Sequence, residues 1–194
     1  MPPKPKFTKE EMTAAALDFV SKNGLEELTT RRLAQVMGSS ARPIFTLFDT
    51  MDDLVAEVRY AAMERFSAYA QRELPGQSDM PELKRFGMRM IMFAMREPNL
   101  YRLLFMKEKD NASNFYGMFG ELGETANICI DVIVRDYHME EERAKALFEQ
   151  MWIYTYGVAT LCATGMCHFS AAEISELLTR EFTAVMLLFK SGQY

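Results

Sequence analysis

The sequence predicts an all-α protein, and three observations support that prediction. Apolar residues recur every three or four positions along most of the 194-residue chain, which is the spacing of one helix face. Several of these segments begin with a serine, threonine or aspartate that is followed three residues later by an acidic residue, the pattern of a helix-capping box. The apolar–polar alternation of a strand does not persist beyond a few residues. We therefore expect a small amino-terminal helical unit joined to a larger helical one.

The first two helices are predicted from their capping residues. Thr8, with a glutamate three positions later, opens the first helix, and Gly24 follows its last residue. Thr29 or Thr30 caps a second, short helix over residues 30–37. Both segments carry apolar residues at helical spacing, so each is expected to bury one face.

The third helix is the shortest, and we predict it over 40–46. Gly38 supplies the left-handed backbone that a tight turn between helices needs. We place the N-cap at Ser40, because Pro43 is then the third helical residue, where no intrahelical bond requires its missing N–H. Helical spacing turns one set of side chains inward (Ile44, Leu47, Phe48) and another toward solvent or a ligand (Ala41, Arg42, Phe45, Thr46).

Longer helices are predicted for the rest of the chain. The predicted ranges are 50–72, 79–97, 98–106, 113–137, 140–166 and 170–189. The segment LPGQSDMPEL at 74–83 combines proline, glycine and polar residues, so it is the best candidate for a linker. This predicts one domain over 1–72 and a second over 73–194.

The charge is divided unequally between these regions. The chain has a net charge of −5, but residues 1–48 carry seven basic and five acidic residues, a net +2, which leaves −7 for the remainder. Only a local basic patch near the amino terminus could therefore bind nucleic acid or an anionic membrane. Three cysteines without framework spacing, and no apolar segment long enough for a leader or a membrane span, predict a cytoplasmic protein.

No catalytic or metal-binding motif is evident. The densest group of possible ligands is Cys162, Cys167 and His168, but the two cysteines lie about 140° apart around a helix and do not share a face. No nucleophile motif and no glycine-rich phosphate loop after a strand is present. We predict that the protein is not an enzyme and needs no cofactor.

The two short helices and the glycine between them have the layout of a helix-turn-helix, whose second helix enters the major groove of DNA. Arg42 is the one cation on the outward face of that second helix, and arginine can bond guanine O6 and N7 together. A basic arm containing Lys6 could reach the minor groove, although a solvated terminus is the better explanation of this segment.

Residues 15–58 resemble the amino-terminal DNA-binding domain of the TetR/AcrR family of bacterial transcription regulators. The match consists of Gly24, the paired threonines, LA at 33–34, Gly38, and a short helix with Phe48 and an acidic-leucine segment after it. WIYTYG at 152–157 is similar to the W-x-x-x-H-G of some family carboxy-terminal domains, with Tyr156 in place of the histidine. The DNA-contacting residues that this predicts are Thr30, Arg31, Ser39, Ser40, Ala41, Arg42, Pro43, Phe45 and Thr46, with Lys6 from the arm.

The DNA-binding region departs from the family pattern at four positions. Ala41 stands where a lysine or arginine is usual, and Arg42 where a glycine is common. Phe45 replaces the customary tyrosine, whose hydroxyl donates to a phosphate, and Met51 replaces a lysine that helps to hold one. Fewer cations predict weaker, less salt-dependent DNA affinity.

The resemblance also implies partners and a mode of action. It implies a homodimeric repressor on a pseudo-palindromic double-stranded DNA operator, released by a small, largely apolar ligand. We predict that the ligand contacts Phe86, Met90, Phe93, Tyr101, Phe105, Met118, Trp152 and Tyr156. We predict that the dimer seam lies at or beside Trp152, Tyr156, Phe182 and Phe189.

Two alternatives remain open at this stage. The protein could be a ligand-binding or protein-interaction dimer of the same fold that lacks operator recognition, as the missing phosphate contacts suggest. The sixteen methionines and fourteen phenylalanines could also be ordinary core rather than the lining of an adaptable ligand site.

Overall fold

A computed structural model describes residues 7–72, 79–106 and 124–192 of the chain. The helices are α1 (Lys9–Asn23), α2 (Thr30–Val36), α3 (Arg42–Leu47), α4 (Met51–Gln71), α5 (Glu82–Arg96), α6 (Pro98–Phe105), α7 (Glu124–Tyr137), α8 (Glu141–Ala163) and α9 (Ala171–Ser191). The described ranges contain no strand. The all-α prediction is therefore confirmed.

The helices divide into two compact units. Unit 1 contains α1 to α4 together with α6, and unit 2 contains α5 and α7 to α9. The sequence placed one boundary at 72–73, and that division stays a prediction; the contacts add that α6 groups with the amino-terminal helices.

Unit 1 is built around α1, which packs against α4, α6 and α2. Its core is apolar, and each such side chain contributes about 1.5–3 kcal/mol when fully buried. The buried residues are Met12, Ala16, Val20, Leu33, Ile44, Phe48, Leu54, Val58, Phe66, Leu100 and Tyr101.

Polar contacts tie α6 to this unit. The Ser21 hydroxyl donates to Glu97 Oε2 at 2.7 Å, and Asn99 Nδ2 donates to the Ser21 carbonyl at 2.9 Å. Arg65 on α4 forms an ion pair with the same Glu97. These bonds join the end of α1, the middle of α4 and the start of α6.

Unit 2 is centred on α5 and α8, which pack along each other, with α7 against α8 and α9 against both. Gly87 allows α5 to pack closely on α9: a Cβ built there would be 3.2 Å from Leu178 Cδ1. Ala144, Leu147, Met90, Ile91 and Phe93 are among its buried residues. Within the ranges that the structure describes, no helix has both the length and the apolar character to cross a membrane.

The capping predictions are confirmed at both ends of the chain. Thr8 and Glu11 form a reciprocal capping box on α1, and Ser170 and Glu173 form one on α9. The side chain of Thr29, not that of Thr30, caps α2 by accepting from Arg32 N at 3.2 Å.

Two helix ends differ from prediction. The predicted N-cap Ser40 is wrong: Ala41 is the N-cap of α3, with helical φ of −70° and ψ of −19°, because the tight turn after α2 extends one residue further. The predicted end of α8 at 166 is also wrong. Gly165, at φ +73°, ends the helix in a Schellman motif, in which Gly165 N donates to Cys162 O and Met166 N to Leu161 O. Residues 113–123 of the predicted 113–137 helix lie outside the described residues.

Candidate functional site

The turn between α2 and α3 is tightly bonded. Gly38 has φ +58°, the left-handed value that the sequence predicted for this turn. Ser39 N donates to Ala34 O at 2.9 Å, so the turn folds directly back on α2. Ile44 on α3 is buried beneath it. These contacts fix the start of α3 relative to α2.

The opposite face of α3 is turned to solvent. Arg42 and Thr46 are exposed, and 53% of the Phe45 surface is exposed. The Thr46 hydroxyl donates to the Arg42 carbonyl at 3.0 Å, so it is engaged by its own helix. Ser40 is exposed, whereas the other three predicted contact residues at the turn and helix start are half-buried: Ser39, Ala41 and Pro43.

The cations near α3 differ in their partners. Arg32 forms an ion pair with Glu27. Lys9 pairs with Glu57 at 2.5 Å and lies 5.4 Å from the centre of the Phe48 ring. Among the residues described, neither Arg31 nor Arg42 has an ion pair, so both guanidinium groups are available to an anion. Thr30 is half-buried at the start of α2, and Lys6 lies outside the described residues.

A second candidate site is a cavity of about 260 Å³ inside unit 2. Its lining is mainly apolar and aromatic, contributed by the start of α5, the end of α7, and the middle of α8 and α9. The lining residues are Pro81, Leu83, Lys84, Phe86, Gly87, Tyr137, Phe148, Met151, Trp152, Thr155, Leu178, Thr179 and Phe182.

Aromatic rings form much of the cavity wall. The Trp152 ring is 6.4 Å from that of Phe86, centre to centre, and 6.0 Å from that of Phe148. Tyr137 and Phe182 are also part of the lining, and the centres of their rings lie 5.1 Å apart. Such rings give a flat apolar ligand a large contact surface.

A few polar groups interrupt this wall. Trp152 is 3% exposed, and its Nε1–H is buried without a hydrogen-bond acceptor in the described structure. Burial, with a contribution from the nearby Asp136 charge, raises the pKa of Tyr137 above its usual value, so its phenol is neutral at pH 7. The Thr155 side chain is buried, and Lys84 is the charged member of the lining.

The predicted ligand residues are distributed over several environments. Phe86 and Trp152 line the cavity. Met90 and Phe93 are buried elsewhere in unit 2, and Tyr156 is half-buried on α8; none of the three is in the lining. Their predicted ligand contacts stay predictions.

The two predicted ligand residues on α6 belong to unit 1. Tyr101 is fully buried there, and its ring is 5.1 Å from that of Phe105, which in turn contacts Phe66 at 5.2 Å. Core packing therefore occupies both rings. Met118 lies outside the described residues.

Sequence reasoning missed several lining residues. Phe148 and Thr155 lie at helical spacing from the predicted Trp152 on α8, a signal that could have revealed one wall. Lys84 and Tyr137 come from the ends of other helices, and no local pattern connects them.

Two thiols of unit 2 lie in surroundings that disfavour the reactive thiolate form. Burial raises the pKa of Cys129 to about 12, and burial also raises the pKa of Cys162. Within 7–72, 79–106 and 124–192, no group of three or more His, Cys, Asp or Glu residues is placed to hold a metal ion.

The predicted seam residues are partly internal to the protomer. Trp152 and Phe189 are buried, and Arg143 Nη2 donates to the Phe189 carbonyl at 2.6 Å. Both side chains therefore pack within the protomer, and a seam at or beside the four predicted residues stays a prediction. The large apolar residues that are exposed on α8 and α9 are Ile153, Leu161, Leu187 and Leu188.

Comparison with known proteins supports the resemblance. Residues 83–185 match the family described as Tetracyclin repressor-like, C-terminal domain. A TetR-like transcriptional regulator from Rhodococcus sp. RHA1 has a similar structure, with a TM-score of 0.63, 17% identity, and coverage of 92% of this chain and 96% of that one.

A variant of TetR from Acinetobacter baumannii AYE, in complex with minocycline, also has a similar structure. Its TM-score is 0.58 at 19% identity, over 94% of this chain and 98% of that one. No curated protein matches the chain.

Proposed function

Because this chain belongs to the TetR family of transcriptional regulators, we propose that it is a homodimeric repressor that binds a pseudo-palindromic DNA operator and is released by a small, largely apolar ligand. In this proposal unit 1 binds DNA, and unit 2 binds the ligand and the partner subunit. It works in the cytoplasm and has no catalytic role.

The single observation that carries the DNA-binding part is the α2–α3 hairpin with its outward-facing Arg42. The inner face of α3 is held by Ile44 and Phe48, and the outer face offers an arginine without an ion pair in the described structure. An α-helix of this kind fits the major groove, where Arg42 would read guanine. Arg31, at the start of α2, would contact a phosphate.

Phe45 supports a role for apolar contact in this interface. Phe45 is 53% exposed on a short helix, so much of its ring surface is free to contact a partner. In the major groove it could contact the methyl group of thymine. This offers an alternative to the hydroxyl contact of the family's usual tyrosine.

The exposed faces of α8 and α9 support dimerisation. Ile153, Gly157 and Leu161 follow one another at four-residue intervals on α8, and all three are exposed. A Cβ at Gly157 would meet no atom within 4 Å, so the backbone there is open to close approach. Leu187 and Leu188 extend the apolar surface on α9. Two copies of this surface would bury it and hold two α3 helices for successive major grooves.

The cavity supports ligand control. It is apolar and partly enclosed within unit 2, which is the usual form of a small-molecule site. A ligand releases the repressor only if it binds the DNA-free conformation more tightly than the DNA-bound one.

The test is a selection of tight-binding sequences from random DNA duplexes, followed by gel-shift titration of the selected site against a scrambled one. Specific complexes of a dimer support the proposal. If the protein stays dimeric but binds no sequence specifically even at low salt, the ligand-binding or interaction dimer without operator recognition replaces it.

A further inference from the structure

We propose that the unit 2 cavity binds a small aromatic carboxylate, with the carboxylate paired to Lys84 and the ring system against Phe86 and Trp152. This inference rests on the proposed function in taking the cavity as the effector site. It adds the chemical class and the charge of the ligand.

The negative charge that we assign to the ligand follows from Lys84. Among the described residues that line the cavity, Lys84 is the one that is charged at neutral pH, since the Tyr137 phenol stays protonated. Lys84 is half-buried on the wall of the cavity. The cavity therefore carries one positive charge and favours an anion.

Two acidic residues that adjoin lining residues in the sequence, Glu82 and Asp136, are already engaged by another cation. Arg135 on α7 donates to Glu82 Oε2 at 3.1 Å and to Asp136 Oδ1 at 2.7 Å. In the described part of the chain Lys84 has no ion pair of its own. Glu82 and Asp136 bind Arg135, so a ligand carboxylate could serve as the anionic partner of Lys84.

The planar shape that we assign to the ligand follows from the aromatic rings of the cavity wall. Phe86 and Trp152 lie 6.4 Å apart with their planes 26° from parallel, and Phe148 flanks the indole. Planar rings stack against such surfaces in offset arrangements. A cavity of about 260 Å³ is near the lower end of the roughly 300–1,000 Å³ typical of ligand pockets, so a small one- or two-ring ligand fits best.

The buried indole N–H points to an oxygen on that ligand. Trp152 Nε1 is buried without an acceptor among the described residues, although it belongs to a residue of the cavity lining. A buried donor without a partner is destabilising, and a ligand oxygen would relieve this. The indole N–H is therefore a polar anchor within an otherwise apolar wall.

The experiment is calorimetric titration of the intact protein with naphthoate and with naphthamide, its neutral analogue of nearly the same shape. We expect naphthoate to bind about tenfold more tightly, because a charge-assisted hydrogen bond is stronger than a neutral one. The variant Lys84→Met keeps the apolar stem and should abolish this preference. Lys145→Met removes an exposed lysine that pairs with Glu141 and Glu142, and should leave the preference unchanged.

The NMR resonance of the Trp152 indole N–H shows whether naphthoate binds in the cavity. The protein has a single tryptophan, so its one indole N–H resonance reports on Trp152 alone. We expect naphthoate to shift that resonance. An unshifted resonance, equal affinity for the two compounds, or no binding of either would overturn the proposal. Because these measurements use no DNA, such a failure leaves the gel-shift test of the proposed function unaffected.

Discussion

The rings of Phe86 on α5 and Trp152 on α8 stack with their centres 6.4 Å apart and their planes 26° from parallel. This contact joins the two central helices of unit 2 and forms part of the cavity wall. These two residues of the cavity lining therefore also hold the unit together.

Truncation of that contact should be measurable. We expect Phe86→Ala to lower the free energy of unfolding of unit 2 by about 2 kcal/mol, less than for a fully buried phenylalanine. Chemical denaturation followed by the fluorescence of the single tryptophan measures this directly. Phe45→Ala removes an exposed phenylalanine of unit 1 and should change stability by less than about 0.5 kcal/mol. Equal effects of the two variants would contradict the stacking role.

The α9 capping box should contribute stability that depends on pH. Hydrogen bonds from the Ser170 backbone and hydroxyl lower the pKa of Glu173 below its usual value. The carboxylate therefore stabilises the folded state above the unfolded-state pKa of glutamate, and this contribution is lost as pH falls through the lower, folded-state pKa.

We expect Ser170→Ala to cost about 1 kcal/mol at neutral pH, because the side chain also caps the Glu173 N–H. The difference from wild type should shrink in acid, where Glu173 is protonated. Thermal unfolding across pH measures it, with Thr183→Ala in the exposed middle of α9 as the control. A pH-independent difference would show that the carboxylate has no part in it.

The exposed face of α9 should control assembly. Leu187 is 63% exposed within the protomer, so Leu187→Glu should not disturb its fold. In a dimer seam the same change buries charge on both subunits, and we expect a shift from dimer to monomer in analytical ultracentrifugation. Tyr60→Glu, which alters an equally exposed residue of α4 in unit 1, is the control. A dimer that survives Leu187→Glu would place the seam elsewhere.

Arg31 and Arg42, which have no ion pair among the described residues, should affect DNA binding differently. We expect Arg42→Ala to relax base preference, with a loss of about 1–3 kcal/mol on the preferred site only. Arg31→Ala should weaken binding to all sequences and lower the salt slope by about one. Gel-shift titrations on preferred and scrambled duplexes at several salt concentrations separate these outcomes. An unchanged preferred site in Arg42→Ala would exclude its role in base reading.

Phe45 offers a gain-of-function test. Phe45→Tyr adds the hydroxyl that the family usually carries at this position, without altering the exposed ring. If that hydroxyl reaches a phosphate, affinity should rise about threefold to tenfold on every duplex, as for one added hydrogen bond. A rise confined to one sequence, or none, would indicate that α3 lies differently in the groove.

The helices near the chain ends could be predicted because their signals are local. The capping boxes of Thr8 and Ser170, and the left-handed Gly38, depend on atoms within a turn of each residue. The start of α3 was misplaced by one residue because several small residues at 39–41 satisfy the same cap pattern. The end of α8 was misplaced although Gly165 marked it.

The all-α class, the helix-turn-helix and the outward face of α3 could be predicted from the amino-acid sequence, since helical periodicity and capping act over a few residues. The structure was needed to show that Tyr101 and Phe105 pack in unit 1, and that Lys84, Tyr137 and Trp152 line one cavity. A cavity is formed where side chains from separate helices fail to fill the space between them. That depends on how α5, α7, α8 and α9 pack, which no spacing along the chain encodes.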